Sequence, residues 1–301
     1  MSDFYEEYKF DDAEAFLDAL TPWTRKASLD GYIFRGHSND SYELLPSALR
    51  LATNEVLYRL AGATVHHEWV DDESILSQAE FRTIRDFYRL ADAHGLEVPT
   101  SPSIRKRLAS SMDHSMATYT GPWINEELLD IAALAQHYGL PTRLLDWTHN
   151  PYVAAFFAAS GCTAHGDDLS IWCLNKDHIT LYDYTRPSKL KFIQPHYSGN
   201  PNLAAQSGVF THWEREIKNM LTYSSPSAGT VVDRTPLDEL VTAHYQALSG
   251  NTNVLKKFKL RASEASKIRR YIAKIGYTSA KIFPGYGGVA EALKDRQHHA
   301  S

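Results

Sequence analysis

Apolar residues recur at helical spacing in Ala13, Phe16, Leu17 and Leu20, behind the acidic pair Asp11 and Asp12, which predicts a short capped helix. Gly31-Tyr32-Ile33-Phe34 reads as a short strand leading into Arg35. Phe81, Ile84, Tyr88 and Ala91 mark a second helix, and another is expected from about Glu126 to Gln136. Between them, Gly95 to Pro102 holds Gly, Pro, Ser and Thr and is expected to be an internal loop. Asn150 as a cap, Pro151 in the first turn and the apolar body from Val153 to Ala159 predict a buried helix. Leu169 to Leu174 reads as a buried strand, and Gly208-Val209-Phe210-Thr211 as another. From Val254 to Leu260 the pattern alternates in part, with Phe258 and Leu260 opposite Lys257 and Lys259. Ser263 opens a helix with Ile268, Tyr271, Ile272 and Ile275 on one face, stopped by Gly276. A strand is expected from Thr278 to Phe283, then the turn Pro284-Gly285-Tyr286-Gly287-Gly288 and a short helix. Helices cluster early and strands return late without regular alternation, which argues for an α+β fold rather than a doubly wound sheet. The chain shows no internal repeat or low-complexity tract.

Composition adds bounds. The 301 residues are 43% hydrophobic and 22% charged, ample for a sizeable core in one large domain or two smaller ones. A formal net charge of −5 gives no global attraction to nucleic acid or anionic membrane and leaves local basic patches open. Only Cys162 and Cys173 occur, which excludes a disulfide scaffold and a cysteine-based zinc site on count. Met1-Ser2-Asp3-Phe4 lacks the apolar core of a signal peptide, and no apolar run approaches the roughly 20 residues a membrane span needs. A cytoplasmic protein without a membrane partner is expected.

Arg35 stands at the end of an apolar strand beside Gly36. Its planar fork suits phosphate, and the glycine would let a ligand approach the backbone; an arginine paired with a core carboxylate is the plainer reading. The segment from Gln136 to Thr148 packs His137, Tyr138, Arg143, Asp146, Trp147 and Thr148 around a backbone bent by Gly139 and Pro141. Such a mixture is costly to bury without mutual hydrogen bonds, so it forms either a binding pocket or a polar network welding a loop to the core. Arg143 and Asp146 are expected to pair with each other, and His137, Trp147 and Thr148 to face a ligand. Gln206 places an amide just before a strand.

Other chemistries are excluded. His66-His67 lacks HExxH-type partners, and His298-His299 lies at the C-terminal end, so no metal site is expected. Gly285-Tyr286-Gly287-Gly288 lacks the dinucleotide-binding spacing, and there is no P-loop or G-x-S-x-G elbow. Lys256, Lys257, Lys259 and Arg261, with Lys267, Arg269 and Arg270 on the following helix, would track a phosphate backbone or form a solvated face.

Together, Phe34-Arg35-Gly36, Leu45-Pro46 to Arg50, Ala135 to Thr148, Asn150 to Ala158, Gln206 to Thr211 and Ile282-Phe283-Pro284-Gly285 resemble the FRG-domain family. The resemblance spans most of the chain and is most specific in the middle block. It implies one domain over residues 1–301 with a largely helical insertion at about 50–135. A looser resemblance, to ADP-ribosyltransferases, lies in the arginine before a glycine on a first core strand and in the Asp146-to-Ala158 run, which enters a helix after a strand bearing a hydroxyl. It implies split antiparallel β-sheets with surrounding helices, and NAD as substrate. Arg35, Thr148 and Gln206 would be catalytic, and Arg35, Gly36, His137, Tyr138, Arg143, Asp146 and Trp147 would bind NAD. The resemblance departs at Gln206, where that family carries a glutamate. An amide can orient a ribose hydroxyl but cannot supply the negative charge an oxocarbenium-like state needs. Either Glu214, Glu216 or Glu291 fills the role, or the acceptor is activated otherwise, or the nucleotide is bound without cleavage.

The expected function is thus an NAD-dependent mono-ADP-ribosyltransferase, toxin-like or defensive. It would modify nucleic acid or protein, with an antitoxin or inhibitor protein as an implied partner. The alternative is a non-catalytic nucleotide or nucleic-acid binding module carried by the Lys256-to-Arg270 cluster, and a third reading is a protein-interaction domain.

Overall fold

The structure, a computed structural model, describes residues 5–23, 28–62, 70–109, 121–124, 126–162, 167–184, 189–217, 231–249 and 254–297; His66, His67, His298 and His299 lie outside them. Strand β1 (Glu6–Phe10) leads into helix α1 (Ala13–Ala19), whose first turn is capped by Asp12, its carboxylate accepting from the Ala15 amide. β2 (Tyr32–His37) follows, then α2 (Leu51–Leu60), α3 (Glu73–Ala93) and α4 (Pro102–Ala109). A two-residue β3 (Gly121–Pro122) and α5 (Leu129–His137) precede β4 (Leu145–Thr148) and α6 (Pro151–Ser160). Asn150 and Pro151 start α6 as their chemistry dictates, the Asn150 side chain accepting from the Tyr152 amide at 2.9 Å. Beyond lie β5 (Leu169–Asn175), α7 (Lys176–Asp183), β6 (Leu190–Ile193), α8 (Pro201–Ala205), β7 (Gly208–Trp213) and β8 (Glu216–Ile217). The C-terminal part holds α9 (Leu237–Ser249), β9 (Leu255–Leu260), α10 (Ala265–Lys274), α11 (Ser279–Ile282) and α12 (Tyr286–Gln297).

Seven strands form one open sheet in the order β1-β9-β5-β2-β4-β7-β6, antiparallel except where β1 runs parallel to β9; β3 and β8 pair separately. The α+β expectation stands. The sheet is continuous, yet its two sides are joined through one residue pair, Phe34 opposite Thr148, whereas β2 and β5 are in register over all six residues of β2. An antiparallel ladder prolonged past that pair would set Gly36 opposite Asp146; instead the strands part there. Alternation gives the sheet two apolar faces. Phe34, Ile171, Phe258 and Leu260 pack with α1, α6 and α10, while Ile33, Trp172, Leu174, Trp147 and Val209 pack with α7 and α9. Phe210 joins a third core under α3, α4 and α5. Among the described residues no helix is long and apolar enough to cross a membrane, and no group of histidine, cysteine, aspartate or glutamate side chains could hold a metal.

Three local expectations are corrected. Thr278 to Phe283 is not a strand: Ser279–Ile282 is a single helical turn with Ile282 fully buried in the α6 core, because that apolar run packs on a helix rather than against an edge of the sheet. The turn that follows is shorter than expected, since α12 already begins at Tyr286. Arg35 is not at the end of its strand, because β2 continues to His37, held through that length by β5.

Candidate active site in the sheet's split

A cleft of about 870 Å³ opens where β2 and β4 part. Phe34, Arg35, Gly36 and His37 of β2 line it, as do Asp146, Trp147 and Thr148 of β4. Gln136 and His137 come from the end of α5, Ala154 and Phe157 from α6, and Gln206 and Phe283 from the turns after α8 and α11.

Arg35 sits across the gap. Its Nη1 donates to the Asp146 carbonyl at 2.7 Å, satisfying a backbone group that the lost ladder would have paired. The same nitrogen is 3.7 Å from the Asp146 carboxylate, and Nε donates to His37 Nε2 at 3.0 Å. Burial pulls the guanidinium below its ordinary pKa; Asp146 opposes this and Arg50 adds to it, yet an arginine stays charged at neutral pH. His37, accepting at Nε2, carries its proton on Nδ1. Burial, then the charges of Arg35 and Lys257, push its pKa down to about 3. Arg50 is the second cation of the cleft, held by an Nε bond to the Leu45 carbonyl at 3.0 Å. His137 is half-buried, and burial lowers its pKa against the pull of Asp146. The Asp146 carboxylate accepts from Gln136 Nε2 at 2.9 Å.

Gly36 lines the cleft and is also needed for packing against α6. A Cβ there would stand 2.0 Å from the Ala154 carbonyl and 2.8 Å from the Ala158 amide, so the glycine admits the backbone of α6. Gly36→Ala is expected to push α6 off the sheet and lower the melting temperature by several degrees; a circular dichroism melt overlaying the wild type would contradict this packing.

Thr148 is part of the cleft wall. Its hydroxyl donates to the Gln206 carbonyl at 2.6 Å and accepts from the Asn150 amide at 3.0 Å, fixing the turn into α6 against the turn before β7. Gln206 Nε2 reaches the Ile282 carbonyl at 3.3 Å. Phe157 and Phe283, both partly exposed, meet edge to face with centroids 6.0 Å apart and give the cleft an aromatic wall.

Several expected site residues lie elsewhere. Arg143 does not pair with Asp146: it lies in the bend before β4 and turns toward α3 instead. Arg143 is buried, donating through Nε to both Glu80 oxygens (3.0 and 2.8 Å) and forming an ion pair through Nη1 with Glu73 (2.6 Å), so its guanidinium is committed to the core. The Trp147 indole is also buried, its Nε1 donating to Thr211 Oγ1 at 2.8 Å, so Trp147 borders the cleft while its ring nitrogen is committed to the core. Tyr138, 60% exposed at the end of α5, is not among the cleft-lining residues. Glu214, Glu216 and Glu291 are also outside the cleft; Glu214 pairs with Lys191, Glu216 sits in β8 and Glu291 pairs with Lys294 on α12. The basic cluster is largely neutralised: Lys257 and Lys259 share Asp40, Arg261 faces Asp11, Lys267 holds Glu264 and Arg269 holds Asp295. Of the ionisable cleft residues, the sequence did not single out His37 or Glu43, and it reached Arg50 only as the end of a segment that carries the family resemblance. For His37 the signal was present, since it is two positions along the strand from Arg35 and so on the same side.

His37 shares its pKa behaviour with His212, buried beneath Trp123 and also pushed down to about 3, chiefly by burial. Unfolded, both would take up protons near pH 6.5; folded, they refuse them until far lower pH, so stability is intact above 6.5 and is lost as pH falls toward 3. The urea midpoint is expected to drop from pH 7 to pH 4, and less steeply in His212→Gln; equal slopes in the two proteins would exclude His212 as a cause.

Residues 30–167 match the model of a family described as the FRG domain. No curated protein and no solved structure matches the chain.

Proposed function

From the premise that the chain carries an FRG domain over residues 30–167, we propose that the cleft binds NAD and that the protein is an NAD-dependent mono-ADP-ribosyltransferase. The observation that carries this reading is Arg35 at the parting of the strands, its remaining donors directed at an opening large enough for a dinucleotide. Arg50 doubles the positive charge available to a diphosphate, and Phe157 and Phe283 offer an apolar wall to a flat ring. The near-separation of the sheet at Phe34 and Thr148 supports an ADP-ribosyltransferase-like split-sheet architecture, with the helices between β2 and β4 as an insertion in a single domain. Thr148 and Gln206 then act as the wall that seats the ribose, with the acceptor a nucleic acid or a protein. Catalysis here rests on positioning and fixed charge, as suits a cleft with few nucleophiles.

The test is purified protein incubated with labelled NAD and a cell lysate. Nicotinamide release with transfer of label is expected. Neither release nor transfer, from protein that is folded by circular dichroism, would overturn the enzyme.

A further inference from the structure

We infer that Glu43 supplies the catalytic carboxylate that the Gln206 position lacks. The inference rests on the reading of the cleft as an NAD site. Breaking the bond between the ribose C1′ and the nicotinamide nitrogen sends the bonding pair to the nitrogen, neutralising the pyridinium, and leaves positive charge on C1′ and the ring oxygen. Water, or an acceptor hydroxyl or amine, then forms the new bond to C1′ and gives up a proton. A carboxylate in the cleft stabilises the cation and can take that proton.

Among the described residues lining the cleft the carboxylates are Glu43 and Asp146. Asp146 is occupied: Gln136 donates to it at 2.9 Å, and the Arg35 guanidinium 3.7 Å away offsets its charge. Glu43 has no hydrogen bond or ion pair among the described residues, so its full charge is available. Its loop is nonetheless fixed on both sides. Before it, the Asp40 amide donates to the Asp168 carbonyl at 2.6 Å and the Asp40 carboxylate holds Lys257 at 2.7 Å. After it, Leu44 is fully buried, its carbonyl accepting from the Leu237 amide at 2.9 Å, and the next carbonyl, that of Leu45, holds Arg50. A carboxylate on a loop anchored at both ends, lining the same dinucleotide-sized cleft as Arg35 and Arg50, is held where a bound ligand would meet it.

The experiment uses the full chain and NAD, reading nicotinamide release by chromatography and NAD affinity by calorimetry, with a thermal melt for each protein. Glu43→Gln, an exposed isosteric change, is expected to melt like the wild type, to bind NAD as the wild type does, and to release nicotinamide about 100-fold or more slowly. Asp146→Asn, the comparator, is expected to weaken NAD affinity instead. Wild-type turnover in Glu43→Gln overturns the assignment and leaves the NAD reading standing. An equal loss of affinity and turnover in Glu43→Gln also overturns it, because the role claimed is confined to the transition state. A wild type that neither binds nor cleaves NAD overturns the reading and this inference together.

Discussion

Arg35→Lys is expected to abolish NAD binding almost as fully as Arg35→Ala. The guanidinium does three things at once: Nε donates to His37, Nη1 caps the Asp146 carbonyl, and the rest of the fork faces the cleft. An ammonium is a single point of charge on a flexible stem, so it cannot bridge β2 to β4 and also present donors to a phosphate. Losing a charge-assisted pair of this kind costs roughly 2–3 kcal/mol, so affinity should fall on the order of 100-fold in both variants by calorimetry. Arg35→Lys binding NAD within a fewfold of the wild type would show that only charge matters there, and the bridging geometry would lose its role. The thermal melts of both variants should fall only slightly, because Arg35 replaces one ladder bond and no core contact is removed.

Arg143→Met is expected to produce the largest loss of stability. Among the described residues Arg143 is the cation paired with Glu73 and Glu80, both buried, and Ser77 accepts from its Nη2 at 3.0 Å. Removing it strands two carboxylates in apolar surroundings, a change worth about 3–5 kcal/mol, or roughly 6–10 °C in melting temperature for a chain of this size. Burial already lifts the Glu80 carboxyl to about 7 with the arginine present, Arg143 pulling it back down. A raised folded pKa means stability that is full at low pH and is lost as pH rises through the folded value, and removing the arginine steepens that loss. The melting difference between wild type and Arg143→Met should therefore be wider at pH 8 than at pH 5, and adding Glu80→Gln should narrow it. A difference independent of pH would mean that Glu80 stays ionised throughout. Function is coupled to this core because Arg143 ties α3 to the residue pair preceding β4, the strand that carries Asp146 and Thr148.

Much of the fold was legible because period and punctuation agreed. The Asn150-Pro151 start of α6, the Phe81-to-Ala91 face of α3 and the Gly276 stop of α10 each follow from local chemistry. Ser279–Ile282 was not legible, since β-branched and aromatic residues in a short run suit either a strand or one buried helical turn, and only the tertiary partner decides. Arg35, read from its place beside Gly36 on an apolar strand, and Gln206, reached through the ADP-ribosyltransferase resemblance, both line the cleft. Arg143 and Trp147 were misplaced because dense polar and aromatic sequence looks the same whether it faces a cleft or a core. Which of the two it faces depends on Glu80, 63 positions away, and on Thr211, 64 away. Glu43 was invisible for the opposite reason, a lone glutamate in a loop with no pattern around it.

The strand order also governs how the chain can be made. Among the described strands β1 joins the sheet through β9 alone, so a strand made early waits for one that begins at Leu255. At about 5–20 residues per second, that is a delay of tens of seconds during which β1 and β5 both expose unpaired edges. The stretch that matches the FRG domain holds β2 and β4 but neither β5 nor β7, the strands that flank them. Expressed by itself it would present the walls of the cleft with both sides of the sheet open, and would be expected to aggregate where the longer chain remains in solution.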